Sequence, residues 1–269
     1  MERNKWLRVL SPLALLAALL VFPGAAGGEM YVEGYIGGAK AANVSDDFPV
    51  HWPTVPDYLE FWKVSGKSDA AVIGGLKLGT WFVKEGFLGC NYPDWMKYFG
   101  FYLDFSYHRL NMRDQNAMVV DNFFEPLRTR IQSEGAVATL AFMFAARYGF
   151  LPDAEVPFGR LQPYLAVGPA LLFASVEPKL SYLDMTGFTF GSNKPGAQSD
   201  TTICLAVETG LRYMALKNVS IDISFKYRYA APKFTFNFND FDPILGPGVF
   251  TYKPECHLFS GQLGVAYHF

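Results

Sequence analysis

Between Glu255 and Phe269 the chain alternates with a period of two. His257, Phe259, Gly261, Leu263, Val265, Tyr267 and Phe269 form one series, mostly large and apolar; Leu258, Ser260, Gln262, Gly264, Ala266 and His268 form the other, mostly small or polar. That is the period of a β-strand, whose successive side chains point to opposite faces. It recurs in eight segments, placed at Met30–Ala39, Asp69–Phe82, Lys97–Arg109, Gly135–Tyr148, Pro163–Val176, Thr201–Tyr213, Val219–Tyr229 and Cys256–Phe269. One series is bulky throughout: Phe99, Phe101, Leu103, Phe105 and Tyr107 in the third segment, Leu140, Phe142 and Phe144 in the fourth, Ile203, Leu205, Val207 and Leu211 in the sixth. The opposite series holds Gly, Ala, Ser and Thr with a few charges.

Each segment has at least the ~9–11 residues that a tilted strand needs to cross a bilayer. Past the N-terminal region no stretch reaches ~18 consecutive apolar residues, so helical spans are excluded. In lipid every backbone N–H and C=O must find a protein partner, and a closed sheet provides one for each. A soluble barrel would turn the bulky series inward and show dense Lys, Glu and Asp outside. Here the polar series is sparse in charge and rich in small residues, which suits the crowded inside of a narrow membrane barrel. The pattern therefore predicts an all-β chain, an eight-stranded antiparallel up-and-down transmembrane β-barrel. Connections 40–68, 110–134, 177–200 and 230–255 are long and polar, whereas 214–218 is short; short turns face the periplasm and long loops the exterior. Phe234, Phe236 and Phe238, and likewise Phe188 and Phe190, read as strands extending past the membrane. If they spanned it, the count would be ten.

Composition agrees with an exported, membrane-embedded chain: 51% hydrophobic, 17% aromatic and only 18% charged. Residues 1–27 read as a secretory signal, with Arg3, Lys5 and Arg8 before the apolar core Leu13–Phe22 and small residues Gly24–Gly27 at the cleavage point. The apolar core is too short for a spanning anchor. Residues 28–269 then form the barrel domain. The mature chain is slightly acidic, which argues against nucleic acid as a partner. Cys90, Cys204 and Cys256 have neither the even count of a disulfide framework nor metal-ligand spacing; three free thiols are expected, with no metal and no cofactor.

Strand parity places nine charges inside: Glu33, Lys77, Asp104, Arg147, Glu208, Arg212, Asp222, Lys226 and Arg228. Isolated buried charges cost several kcal/mol, so these should pair across the lumen or keep water. Lys77 is expected between Glu33 and Asp104 at similar height, and Glu208 near Asp222 and Lys226. They form either a polar plug or a narrow water path. His108 and His268 also point inward, too far apart to share a metal. Tyr31, Trp81, Trp95, Tyr98, Tyr148, Tyr213 and Tyr267 fall near segment ends and are assigned to the headgroup region. Trp52, Tyr58, Phe61 and Trp62 in the first long loop are either a contact site or loop packing. His257, Ser260 and Glu255 raise hydrolytic chemistry, but His257 and Ser260, three apart on one strand, face opposite ways. No catalytic residue is assigned.

The stretches Tyr31–Gly38, Gln162–Ala170, Gly210–Tyr229 and Gly264–Phe269 resemble the small outer-membrane β-barrel family that includes OmpA-like transmembrane domains. The resemblance implies location in a bacterial outer membrane, contact with its lipid and lipopolysaccharide, and assembly by the barrel assembly machinery, with Tyr267 and Phe269 in the assembly signal. It implies no wall-anchoring role, since no peptidoglycan-binding domain follows the barrel. The expected role is structural or interactive, through four long loops able to meet an extracellular ligand. A narrow charge-lined pore and a lipid A-modifying enzyme, whose His-x-Ser spacing this chain lacks, are the alternatives.

Overall fold

The computed structural model describes residues 29–42, 44–51, 60–83, 92–121, 127–183, 187–238 and 248–269. The expected signal region, Trp52, Tyr58 and Cys90 lie outside the described residues. The strands are β1 (Glu29–Ala41), β2 (Val44–His51), β3 (Glu60–Gly66), β4 (Ala71–Trp81), β5 (Phe99–Arg109), β6 (Met112–Asp121), β7 (Leu127–Arg147), β8 (Leu161–Leu183), β9 (Thr189–Asn193), β10 (Gln198–Leu216), β11 (Val219–Ala230), β12 (Phe234–Phe238), β13 (Gly248–Tyr252) and β14 (Cys256–His268).

Eight of them close a ring in the order β1, β4, β5, β7, β8, β10, β11, β14 and back to β1, every pairing antiparallel. These are the eight segments marked by alternation. The phenylalanine-rich strands lie outside the ring: β9 pairs with β8, and β12 with β13. The spanning count is thus eight, not ten. The bulky series faces outward, with Ile203 76% and Ile223 62% exposed, while the small and charged series fills the interior. An exterior this apolar is the face a barrel turns to lipid.

The two longest strands exceed the sequence expectation. β7 begins at Leu127 rather than Gly135, and β8 runs on to Leu183 rather than Val176. At ~3.3 Å per residue the 23 residues of β8 extend roughly 75 Å, far more than a bilayer needs even when tilted. The overhang carries a second layer of pairing beyond the ring, in the order β12, β13, β2, β3, β6, β7, β8, β9. We call this the upper end. The lower end carries both termini of the ring.

Two local features hold the β7–β8 seam. Pro169 has no N–H to give, and the pairing of β7 with β8 is interrupted between Ala141↔Ala170 and Phe144↔Val167. Gly168 lets the backbones approach there: a Cβ on it would stand 1.8 Å from the Phe142 carbonyl oxygen. At the lower end, Asp153 accepts the backbone N–H of Val156 (2.7 Å) and of Glu155 (3.0 Å) and pairs with Arg160. The Arg160 guanidinium also donates to the carbonyls of Met214 and Ala215 at 3.1 and 3.3 Å, so it ties the β7–β8 turn to the β10–β11 turn.

Gly168→Ala is expected to lower stability by about 2 kcal/mol or more, because the carbonyl it meets is backbone and cannot swing away. Gly38→Ala, whose Cβ would meet nothing within 4 Å, is the neutral control; denaturant unfolding in micelles compares them. In the turn, the Val156 N–H and the Arg160 guanidinium hold the Asp153 carboxyl below its ordinary 3.8. A depressed carboxyl stabilises the fold above its unfolded value and loses that contribution as pH falls through the folded value. Carboxyl-carbon NMR titration should therefore give Asp153 a midpoint under 3.8 in wild type, and one nearer the ordinary value in Arg160→Gln.

Candidate functional site

The lumen is built from inward positions two apart on each ring strand: Glu29, Tyr31, Glu33 and Tyr35 on β1; Lys77 and Trp81 on β4; Asp104, Ser106 and His108 on β5; Asp222, Ser224, Lys226 and Arg228 on β11. All nine side chains placed inside by parity lie there, none more than 4% exposed. In the ring order β4 stands opposite β10 and β5 opposite β11, so a bond between such strands spans the full diameter.

From the lower end upward, Arg147 makes a two-toothed pair with Glu29 (2.7 and 2.5 Å), its guanidinium 4.1 Å from the Trp81 ring centroid. Arg212 reaches Glu33 at 2.6 Å and Asp222 at 3.3 Å and lies 4.3 Å over Tyr31. Lys77 sits between Glu33 (2.8 Å) and Glu208 (2.7 Å). Lys226 joins Glu208 (3.0 Å) to Asp104. The result is one chain of alternating sign: Asp104, Lys226, Glu208, Lys77, Glu33, Arg212, Asp222. Tyr35 donates its hydroxyl to Asp104 at 2.7 Å. The Tyr164 hydroxyl lies 2.7 Å from Glu208 and 2.8 Å from Asp222 and, with one proton, serves one carboxylate at a time.

Lys77 is the Cα partner of both Glu33 and Asp104, as expected. Its ammonium nevertheless leaves Asp104 and takes Glu208 across the lumen. The long side chain prefers the second carboxylate of the opposite wall because Asp104 is already held by Lys226. Glu208 and Lys226 are in direct register, as are Arg212 and Asp222.

Arg228 ends the series. It crosses from β11 to donate to Ser106 (3.3 Å) and Thr139 (3.2 Å), and its Nε and Nη2 have no protein partner. Nδ1 of His108 is 2.9 Å from the Arg109 carbonyl and so carries the proton; its Nε2 is likewise unpartnered. Buried polar atoms of this kind are the usual seats of internal water. Around them are buried Ile73 and Val137, both in register with His108, Leu258, in register with Arg228, and Leu172 and Cys204; Val137, Leu172 and Leu258 also line an apolar cavity of ≈ 40 Å³ bounded by Phe234, Tyr252 and Cys256. Cys204 and Cys256 are free thiols.

Two of the aromatic assignments are corrected. Tyr31 and Trp81, each 3% exposed, point into the lumen, where Tyr31 stacks on Trp81 (6.3 Å) and His268 (5.5 Å). The reason is parity: Tyr31 shares a face with Glu33, and Trp81 with Lys77. Tyr148, Tyr213 and Tyr267 face outward, and Tyr98 stacks on Tyr148 at 5.8 Å. Tyr267 and Phe269 meet edge to face at 5.2 Å on the lower rim. His257 pairs with the Tyr227 hydroxyl (2.8 Å) on the outer wall, whereas Ser260 is inside against Gln262 (3.1 Å). Among the described residues no three His, Cys, Asp or Glu side chains converge on a metal position. Glu29, Tyr35, Tyr102 and Tyr164 join the lumen network beyond the nine charges expected there. The three tyrosines were legible by parity, each two or four residues from an inward polar position.

Removing one partner of a buried pair costs about 3–5 kcal/mol, since a charge is left behind. Lys77→Met should therefore destabilise strongly in guanidinium unfolding. Adding either Glu208→Gln or Asp104→Asn should restore part of the loss, since each removes one carboxylate and leaves Lys226 paired with the other.

No family model and no curated protein matches the chain. Solved structures do match it. Neisserial surface protein A is 17% identical over 89% of this chain and 97% of its own, with a TM-score of 0.40. OprG from Pseudomonas aeruginosa is 14% identical over 91% and 98%, TM-score 0.45. A major outer membrane protein of Thermus thermophilus is 14% identical over 88% and 99%, TM-score 0.42. The fold rests on the chain's own geometry: the closed ring of eight antiparallel strands with an apolar exterior is an eight-stranded antiparallel transmembrane β-barrel.

Proposed function

We propose that this chain is an integral protein of the bacterial outer membrane, exported by a cleaved signal at residues 1–27, assembled by the barrel assembly machinery through Tyr267 and Phe269, and serving a structural or surface-interaction role. One observation carries the reading: the alternating ion chain crosses the lumen on two diameters, Lys77–Glu208 and Lys226–Asp104. A lumen tied across in this way acts as a strut and not as a conduit. What remains available for contact is the upper sheet of β2, β3, β6, β12 and β13 carried on the overhang. The reading assigns the barrel no reaction, metal or cofactor.

Reconstituted in planar bilayers, the mature protein should show no stable unitary conductance, whereas Lys77→Ala with Glu208→Ala should leak. Regular channel events in wild type would reverse the reading in favour of a narrow pore. Deleting residues 234–252 should leave the barrel folded, judged by heat-dependent gel mobility, while abolishing any cell-surface contact the protein makes.

A further inference from the structure

Arg228 differs from the other lumen cations. Arg147, Arg212, Lys77 and Lys226 each hold at least one carboxylate. Among the described residues none pairs with Arg228, although its side chain is fully buried. Asp104, one inward position below Ser106 on β5, is already taken by Lys226 and Tyr35. A charge buried without a counter-ion is costly, and a bound anion would supply one.

The free part of Arg228 has a definite shape. Its Nη1 is spent on Ser106 and Thr139, which are register partners across β5 and β7. The unpartnered atoms are Nε and Nη2. Their N–H bonds run parallel along one edge of the guanidinium, the fork that takes both oxygens of a carboxylate. A water would pair with this edge but bring no charge.

Beside the fork lies room of the opposite character. Val137, Leu172 and Leu258 are in register with His108, Thr139 and Arg228 in turn, and all three line the apolar cavity. The cavity starts at that level and reaches upward to Phe234 and Tyr252, with a volume of ≈ 40 Å³. That is space for roughly three water-sized groups, hence for a tail of about two or three carbons and not for a lipid chain. Leu110, Met112, Tyr252 and Cys256 on its lining are only half-buried, so the upper end gives access.

We propose that Arg228 and this cavity form a binding seat for a short-chain monocarboxylate. The carboxylate lies on Nε and Nη2 of Arg228, and the tail lies in the cavity against Val137, Leu172 and Leu258. The fork favours a planar two-oxygen anion over a spherical one. The apolar wall excludes a dicarboxylate or a phosphate ester, whose second polar group would meet no partner there. The ion chain closes the lumen below, so the ligand enters and leaves by the upper end. The seat goes beyond the structural role above and leaves the strut as described.

The test uses the mature protein folded in nonionic detergent and titrated with sodium propionate, formate or chloride at constant ionic strength. Thermal midpoint and saturation transfer to the propionate methyl are read together. Saturating propionate should raise the wild-type midpoint by about 5 °C, formate by less and chloride least. Arg228→Met strands no carboxylate; it should melt no lower than wild type without ligand, and show neither a propionate response nor saturation transfer. Arg228→Lys, which keeps the charge without the fork, should lose most of the response. Cys256→Leu, which narrows the cavity, should reduce propionate to the level of formate. A full response in Arg228→Met or Arg228→Lys, or equal action of chloride, overturns the seat. An undiminished lead of propionate in Cys256→Leu overturns the placement of the tail. Should Arg228→Met fail to refold, wild type against Arg228→Lys decides alone.

Discussion

Each paired charge inside this cylinder finds its counter-ion on another strand. Glu33, Lys77, Glu208, Lys226 and Asp104 draw on β1, β4, β10, β11 and β5, so that no pair of neighbouring strands contains the set. Transfer of one such group from water into a protein interior costs several kcal/mol, and a partner at 2.6–2.8 Å offsets that only when its own remaining lone pairs are served. Tyr35 and Tyr164 serve them here. Ion pairs of this sort add little over a hydrophobic filling of the same shape, but they discriminate sharply between arrangements. Glu208 stands in register with Lys226 and Arg212 with Asp222. A slip of one residue would send all four into lipid. The charges thus fix the register more than they deepen the well.

The same parity rule governs the outside. Large residues can be tolerated outward because acyl chains have no fixed shape, while the interior of an eight-stranded ring has only enough width for side chains to interlock. Small side chains at Ala141, Ala145, Ala166, Ala170 and Ala206 leave the room that arginine and tyrosine take up. Bulk on one wall is balanced by smallness on the next. The lumen is therefore filled by side chains of the ring strands themselves.

Much of this was legible from residues alone, because a period of two has one meaning in a membrane. The eight strands, their sidedness and the inward set of nine charges all follow from alternation. Where the reading departed from the structure, a cruder cue had displaced that rule. Position near a strand end points Tyr31 and Trp81 to the headgroups, but their parity puts them with Glu33 and Lys77. The overhangs of β7 and β8 look like loop in the sequence because Thr129, Gln132, Ser133 and Glu134 on the first and Glu177 and Lys179 on the second are polar; a strand that leaves the bilayer loses its apolar face and with it the signal. The partner of Lys77 could not be read at all. Sequence spacing orders neighbours around a turn but does not say which opposite wall a long side chain will reach.

The cross-lumen bonds also bear on how such a ring comes into being. Lys77 to Glu208, Lys226 to Asp104 and Arg212 to Glu33 join residues 131, 122 and 179 positions apart in the chain. Hairpins such as β10–β11 form from nearby sequence and gain nothing from these bonds. Loop-closure entropy must be met before distant contacts give any return. A half-built sheet can make the pairs between neighbouring strands, such as Glu208 with Lys226, but only the finished circle draws the opposite walls together, so the cross-lumen bonds behave as a latch that engages last and makes the closed state abrupt.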